Sequence, residues 1–562
     1  MPPDAPLPRR ALAALILAFA VIWFAGIDTR TLIHPDEGRY AEIAREMVVS
    51  GDWLTPRLNG LKYFEKPPLQ YWMTAAAYQT FGVHAWTARL WTVLSTLLAT
   101  LFLGFVGLRI GGPTLGLYAG AALAGCTGYV VNAHVLTLDG ALGAWLTVAF
   151  GAFVLAQRDA ASPRECRRWM WVAWAAMAAA TLSKGLIGAV IPCASLVLYS
   201  LATRDFAVWR RLHVATGLAL YVVLAAPWFV AVSLANDEFF RFFFIHEHFQ
   251  RYLTTEHRRV EPWWYFLPLL AFGMIPWLPL LVWGLPRTWR HARPAANGFS
   301  WQRFALVWAA FVFVFFSASG SKLPSYILPM FPVLAFVSAW LLAGIDPRTL
   351  SRLTWPMTAA AGATLVVALV AYEPLLRRFV SDEASLAPTL AYGRWIAAAM
   401  AAATFGGIVA LLALRRTAGG GRTAAVLAVA LSTLVAAQVA IVGYDEFRTT
   451  RSSRDILRAA EALNGPFAAD APFYHVHMYD QTVPFYLRRP TTFVGFRDEF
   501  ALGQDAEPEK AYATEQAWIP VWEGLARGYA MMPSADFQRL SAQGLPMRLL
   551  ARDTRRAVVS RR

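Results

Sequence analysis

Residues 11–27 read ALAALILAFAVIWFAGI, an unbroken apolar run set directly behind Arg9 and Arg10. A helix of that length crosses most of a ~30 Å hydrocarbon layer. The pattern recurs along the chain, which is 57% hydrophobic and 15% charged, against roughly 25% charged in ordinary soluble domains. A long soluble enzyme would disperse its apolar residues at periods of about 2 or 3.6. Here they come in blocks nearly free of charge, so the chain reads as an α-helical polytopic membrane protein. The first run has the shape of a signal peptide but no small-residue cleavage site, and further spans follow. It reads as an uncleaved first helix.

Working outward, apolar blocks fall at 11–27, 86–108, 114–132, 138–156, 170–182, 186–202, 212–234, 264–284, 302–317, 325–344, 355–372, 394–414 and 422–442, about thirteen spans. The two around Lys184 can also be read as one broken helix. Alternate loops carry the arginines: Arg109, Arg158 to Arg168, Arg204 to Arg211, Arg287 to Arg293, Arg348 and Arg352, and Arg415 to Arg422. Short basic loops with few acids belong on the cytoplasmic side. The longer segments 28–85, 235–263 and 373–393 are mixed in charge and rich in Trp, Tyr and His, and are expected outside. An odd span count puts the tail outside too. That tail, 444–562, has short apolar runs separated by turn residues and reads as a small soluble α/β domain. Residues 1–443 form the transmembrane part, with Gly419–Gly421 as a flexible-looking cytoplasmic loop.

The net charge of +15 is spread over these loops. It reads as topology-setting arginine, and no nucleic-acid-binding pattern accompanies it. Cys126, Cys166 and Cys193 show no metal or disulfide spacing.

The first outer loop opens HPDEGRYAEIAREM, His34 to Met47. Pro35 suits a helix start, and Asp36 and Glu37 lie where a helix N-terminus favours anions. Ile43, Met47 and Val48 alternate with Glu42, Arg45 and Glu46, a pattern expected of a helix lying on the membrane surface. Asp36 alone reads equally as a cap, but Arg39 follows at i,i+3 and a second cluster comes next. In YFEKPPLQYW, Tyr63 to Trp72, two prolines hold Glu65 and Lys66 in extended backbone. A rigidly presented ammonium suits phosphate oxygens, although a loop lysine can also be merely solvated.

Polar groups also mark span ends: Asp139 in LTLDGAL, Lys184 in TLSKGL, and Lys322 and Tyr326 in SGSKLPSYILP. Charge at membrane depth usually faces a cavity, a partner or a site. Lys184 can alternatively snorkel to the interface; a carboxylate such as Asp139 has no long stem with which to do so. The aromatic stretch Phe239 to Arg259 is expected as an interfacial helix. His246 and His248, two apart, cannot chelate one ion from a helix, but His246 with a distant Glu65 could hold zinc. The alternative is histidines acting as hydrogen-bond donors.

Taken together, HPDEGRYAEIAREM, LKYFEKPPLQYW, FFFIHEHFQRY, SKLPSYILPMFP and YDQTVPFYLRR (Tyr479 to Arg489) resemble the lipid A aminoarabinose transferase family, related to protein O-mannosyltransferases, with a C-type glycosyltransferase fold. The resemblance runs through most of the chain; at Gly38 it is looser, where alanine or threonine is expected. It implies transfer of 4-amino-4-deoxy-L-arabinose from undecaprenyl phosphate to a lipid A phosphate, on the periplasmic face of a bacterial inner membrane, with resistance to polymyxin-type cationic peptides as the consequence. It places Asp36 near the reacting centre.

The chemistry is consistent with this. A polyprenyl phosphate leaves without needing a proton, so cations matter: Lys66, Arg39, Lys322, Lys184 and the Tyr326 hydroxyl are candidates. Asp36 and Asp139 would stabilise an oxocarbenium-like sugar. Glu37, Tyr40 and Tyr63, in the same motifs, are candidate substrate contacts. No organic cofactor is expected. Two rivals differ in class. A protein O-mannosyltransferase would need a true base for a Ser/Thr hydroxyl, and Asp36–Glu37 could supply it. A transporter would show inverted repeats, which are not apparent.

Overall fold

The computed structural model describes residues 8–250, 261–292, 294–380, 383–416 and 420–561, without the side chains of 246–250 and 383–384. The chain divides into two compact units: 1–27, 91–375 and 393–443 in one, and 28–90, 376–392 and 444–562 in the other.

The first unit is helical. Helices stand at each of the expected blocks, although by length and hydropathy alone seven among the described residues qualify as spans, or eight with a bent pair. The difference lies in short and broken helices, and in Pro163–Lys184, long enough at 22 residues but carrying Arg164, Glu165, Arg167 and Arg168 in its first turns. Arg9–Phe24, Ile187–Thr203 and Met330–Gly344 are short. Phe266–Gly273 and Leu278–Arg290 meet at 105°. The run Ala85–Ala124 leaves helical geometry at Gly111 and Gly112, and Gly104 and Gly107 then lie against the backbone of Leu115 and Gly116. The chain therefore doubles back, as the separate blocks 86–108 and 114–132 imply.

Around Lys184 there are two helices rather than one broken one. Pro163–Lys184 ends at Gly185, whose φ of +90° favours glycine, and Ile187–Thr203 follows with Gly188 pressed on Ala180 and Thr181. The most enclosed span is Leu138–Gln157, whose Phe150 and Phe153 pack among Phe304, Trp308 and Phe336. Among the described residues nothing encloses Pro347–Val370 in this way; such an apolar surface is what lipid covers.

The second unit is α/β. Its strands are β1 (Arg57–Leu58), β2 (Leu61–Lys62), β3 (Phe473–Val476), β4 (Thr492–Val494), β5 (Ala511–Tyr512), β6 (Tyr529–Pro533), β7 (Met547–Arg552) and β8 (Arg556–Arg561). The first two form a hairpin, and the rest a sheet in the order β5-β4-β3-β6-β8-β7. β5, β4, β3 and β6 are mutually parallel, while β8 runs antiparallel to both of its neighbours, β6 and β7. Strand alternation sends Tyr474 and Val476 to a core with Trp518 and Trp522. It sends Phe473 to the other face, against Ile456 and Leu457 of the helix Arg454–Asn464. A buried pair, Asp480 with Arg556, ties the tail together, and Arg556 also donates to the carbonyls of Thr449 and Ser452.

Residues 28–90 are woven into this unit. The Thr31 backbone N–H and hydroxyl each donate to Asp445 at 2.8 Å. Asn59 exchanges bonds with Thr491, and Arg57 meets Glu507. The surface-lying helix expected over Tyr40 to Val49 is instead an interior one. Asp36–Ser50 is buried from Glu37 to Met47, because its charges have partners inside. Arg89 grips Glu37 at 2.7 and 2.8 Å, and Arg45 forks onto Glu42 at 2.6 and 2.7 Å.

Candidate active site

The first turn of Asp36–Ser50 follows Pro35, and places Asp36 and Arg39 on one side of the helix. Arg39 donates from one terminal nitrogen to Asp36 at 3.0 Å, and its other terminal nitrogen forms an ion pair with Glu499 at 2.6 Å. Arg39 and Glu499 are nearly enclosed, with side chains 10% and 11% exposed, while Asp36 keeps 41% of its side chain open. Burial works against the Arg39 charge, but Tyr63, Glu499, Tyr40 and Glu65 around it more than offset this and hold its pKa well above the ordinary value. Tyr63 donates its hydroxyl to Glu499 at 3.2 Å. Tyr40 lies 6.0 Å from Tyr71, ring to ring, and burial raises both hydroxyls well above their usual pKa.

The Arg39 Nε and the Tyr71 hydroxyl are buried with no hydrogen-bond partner among the described residues. Buried donors of that kind call for an explanation, and an anionic oxygen would supply one.

Glu65 lies within electrostatic reach of this group, and Lys66 beside it donates to the Glu65 carbonyl at 2.6 Å. The two prolines do as the sequence implies: a helix starts only at Leu69. Glu37 departs from expectation. Its side chain is fully buried between Arg89 and Arg30, so it is a structural anchor of the loop and no substrate contact.

In the helical unit Asp139, at the start of Leu138–Gln157, pairs with Lys184 at the end of Pro163–Lys184. Ser325 donates to the other Asp139 oxygen at 2.9 Å, and the Lys184 ammonium sits 4.7 Å over the Tyr326 ring. Asp139, Lys184 and Tyr326 are thus one cluster in which the two charges neutralise each other. Lys322, 7% exposed, donates to the carbonyls of Glu261 and Ser319 at 2.9 and 2.8 Å and has no ion-pair partner among the described residues.

The zinc pairing of Glu65 with His246 cannot be followed, because the His246 side chain lies outside the described residues. Of the aromatic stretch around it, Phe239 and Phe243 turn inward, stacked at 5.3 Å beneath Trp228 and Phe229, and Phe240 and Ile245 remain exposed. A different trio, His477, Glu515 and Asp536, has ligand-like spacing. Arg539 donates to both of its carboxylates, at 2.5 and 2.8 Å, so it is an ion-pair network as it stands.

Residues 10–291 match the family model for dolichyl-phosphate-mannose-protein mannosyltransferases, and residues 459–561 match that of the aminoarabinose transferase C-terminal domain. A solved structure of ArnT from Cupriavidus metallidurans bound to undecaprenyl phosphate aligns with a TM-score of 0.90 and 37% identity, covering 98% of each chain. The chain belongs to the ArnT family. ArnT-family relatives include the undecaprenyl phosphate-alpha-4-amino-4-deoxy-L-arabinose arabinosyl transferase 1 of Pseudomonas fluorescens, 31% identical over 58% of this chain and 59% of its own length. The enzyme of similar name from Shewanella sediminis is 34% identical over the same shares. These alignments span under two thirds of the curated relatives. ArnT membership makes the chain a multi-pass membrane protein with the C-type glycosyltransferase fold.

Of the residues singled out by motif, Asp36, Arg39 and Tyr63 come together in the fold with Glu499, which motif reading did not single out, nor did it single out Tyr71 or Arg89. Glu499 reaches Tyr63 across 436 residues of sequence, and nothing local announces such a contact. Arg89 carried a signal that went unused: an arginine just inside an apolar block implies a buried partner.

Proposed function

We propose that this chain transfers 4-amino-4-deoxy-L-arabinose from undecaprenyl phosphate to a phosphate of lipid A, at the periplasmic face of the bacterial inner membrane. The printed activities of its relatives and the undecaprenyl phosphate held by the solved ArnT structure support the donor. The match of the tail to the aminoarabinose transferase domain favours this reading over a protein mannosyltransferase.

The observation that carries the chemistry is the Asp36–Arg39 pair, in which a guanidinium is fixed and a carboxylate stays open. In the reaction the bond from the anomeric carbon to the donor phosphate oxygen breaks, and its electron pair stays on that oxygen. An oxygen of the lipid A phosphate takes its place. Lys66 and Arg39 stabilise the negative charge that grows on the departing phosphate. Asp36 faces the positive charge that develops on the sugar and also suits its ammonium group. A phosphate monoester with second pKa near ~6 is already anionic at neutral pH, so Asp36 acts by position and charge before any proton abstraction. The route draws on no organic cofactor and no nucleic acid.

Asp36→Asn keeps the shape and removes the charge. Cells carrying it should make inserted protein but lipid A without the added aminosugar mass. Full modification by mass spectrometry overturns the assignment.

A further inference from the structure

We infer that Glu499, from the C-terminal part of the chain, is a positioning residue for transfer: it holds Arg39 so that Asp36 stays open to the sugar. The inference rests on the reading of Asp36 given above. A guanidinium beside a lone carboxylate prefers a two-pronged fork that uses two N–H groups on both oxygens. Arg39 does not make that fork with Asp36. One nitrogen meets Asp36 at 3.0 Å, and the other is drawn to Glu499 at 2.6 Å. Two carboxylates thus share one guanidinium, and Asp36 is the open member, with 41% of its side chain exposed against 11% for Glu499.

Glu499 is itself held from several directions. The Gln481 amide donates to one of its oxygens at 2.8 Å and the Tyr63 hydroxyl to the other at 3.2 Å. Its neighbour Phe500 is locked among Phe493, Tyr479 and Tyr63 at 4.5, 4.9 and 6.3 Å. An anchor fixed in this way can dictate where Arg39 points. Without its charge, Arg39 is free to close on Asp36 and cover the carboxylate the reaction needs. The C-terminal part of the chain would then be needed for turnover as well as for folding.

The test is Glu499→Gln in the full-length, detergent-purified enzyme, assayed with undecaprenyl-phosphate aminoarabinose and lipid A. Misplacing a reacting group by about 1 Å can cost on the order of 10²-fold, so a loss of about 10- to 100-fold is expected. The loss should fall on kcat, with the KM for the donor changed by less than about 3-fold, since charge on the sugar develops only during transfer. Glu499→Asp keeps the charge and should recover part of the rate. A purely structural role predicts less folded enzyme with unchanged kcat per folded molecule. Wild-type kcat in Glu499→Gln, or Glu499→Asp no better than Glu499→Gln, overturns the inference. Should Glu499→Gln fail to accumulate, Gln481→Ala removes the amide on Glu499 and should lower kcat by about 3- to 10-fold, part of the ~10²-fold that a misplaced group can cost; an unchanged kcat there overturns it equally. Asp36→Asn, run in parallel, separates the two readings. If it is inactive while Glu499→Gln is normal, only the role of Glu499 falls. If Asp36→Asn is fully active, the site itself falls.

Discussion

Lys66 has Glu65 on one side and Pro67 and Pro68 on the other, and its ammonium is already turned onto the Glu65 carbonyl at 2.6 Å. Its backbone has few alternatives, so the charge is presented rather than left to wander. If it stabilises a departing phosphate, Lys66→Ala removes an interaction that strengthens as charge develops. The loss should appear in kcat, on the order of 10²-fold, with partial rescue by Lys66→Arg, whose planar head is wider. Steady-state turnover decides it, and a fully active Lys66→Ala enzyme removes this residue from the chemistry. Lys66, Asp36 and Arg39 stood out in the sequence because charges gather there, near prolines, in the segment between the first two apolar blocks. Pairings did not. Asp139 and Lys184 both looked available to substrate, and only the fold shows that they neutralise each other across two helices.

The helix Asp36–Ser50 shows where pattern reading stops. Its start was legible from Pro35 and the acids behind it, but its environment was not. Amphipathic spacing cannot distinguish a helix on lipid from one buried among ion-pair partners supplied by distant segments. Arg89 and Glu499 are such partners, and neither adjoins the helix in sequence. Among the strands, β3, β4 and β7 were visible as apolar runs. β5 has two residues, and β8 carries arginine at both ends, so neither rises above its surroundings. Gly38 belongs to this scale as well. A Cβ there would lie 2.6 Å from the Gln481 carbonyl carbon and oxygen and 2.7 Å from the Thr482 nitrogen. Backbone cannot swing aside as a flexible side chain can. The glycine is therefore a packing requirement of this chain, at the position where the family resemblance suggests a larger residue. Gly38→Ala should cost about 1–3 kcal/mol through overpacking, read as a lower melting temperature and less folded protein in detergent. An unchanged melting curve would mean that the segment around Gln481 retreats freely.

At the scale of the whole molecule, the spans and the α/β character of the tail followed from composition and periodicity. The joining of residues 28–90 with the tail did not, because it is written in hydrogen bonds between segments some 400 residues apart, such as Thr31 to Asp445. Orientation depends on where charge lies along the helices. Leu138–Gln157 and Pro163–Lys184 run in opposite directions. Asp139 and Lys184 mark one end, and Arg158, paired with Glu165, marks the other. Basic residues again flank the far ends of Ile187–Thr203 and Leu278–Arg290. The last span, Gly421–Gly443, starts beside Arg415, Arg416 and Arg422 and runs away from them to Tyr444. Short basic loops stay in the cytoplasm, so the tail should emerge on the opposite, periplasmic side. That is also the side on which a lipid-linked sugar would meet Asp36. A reporter active only in the periplasm, fused after Arg562, should therefore be active, while a cytoplasm-only reporter at the same position should be silent. The reverse pair of results would put Asp36 and Lys66, which fold with the tail, on the wrong side of the membrane for lipid A, and the proposed acceptor would have to be abandoned.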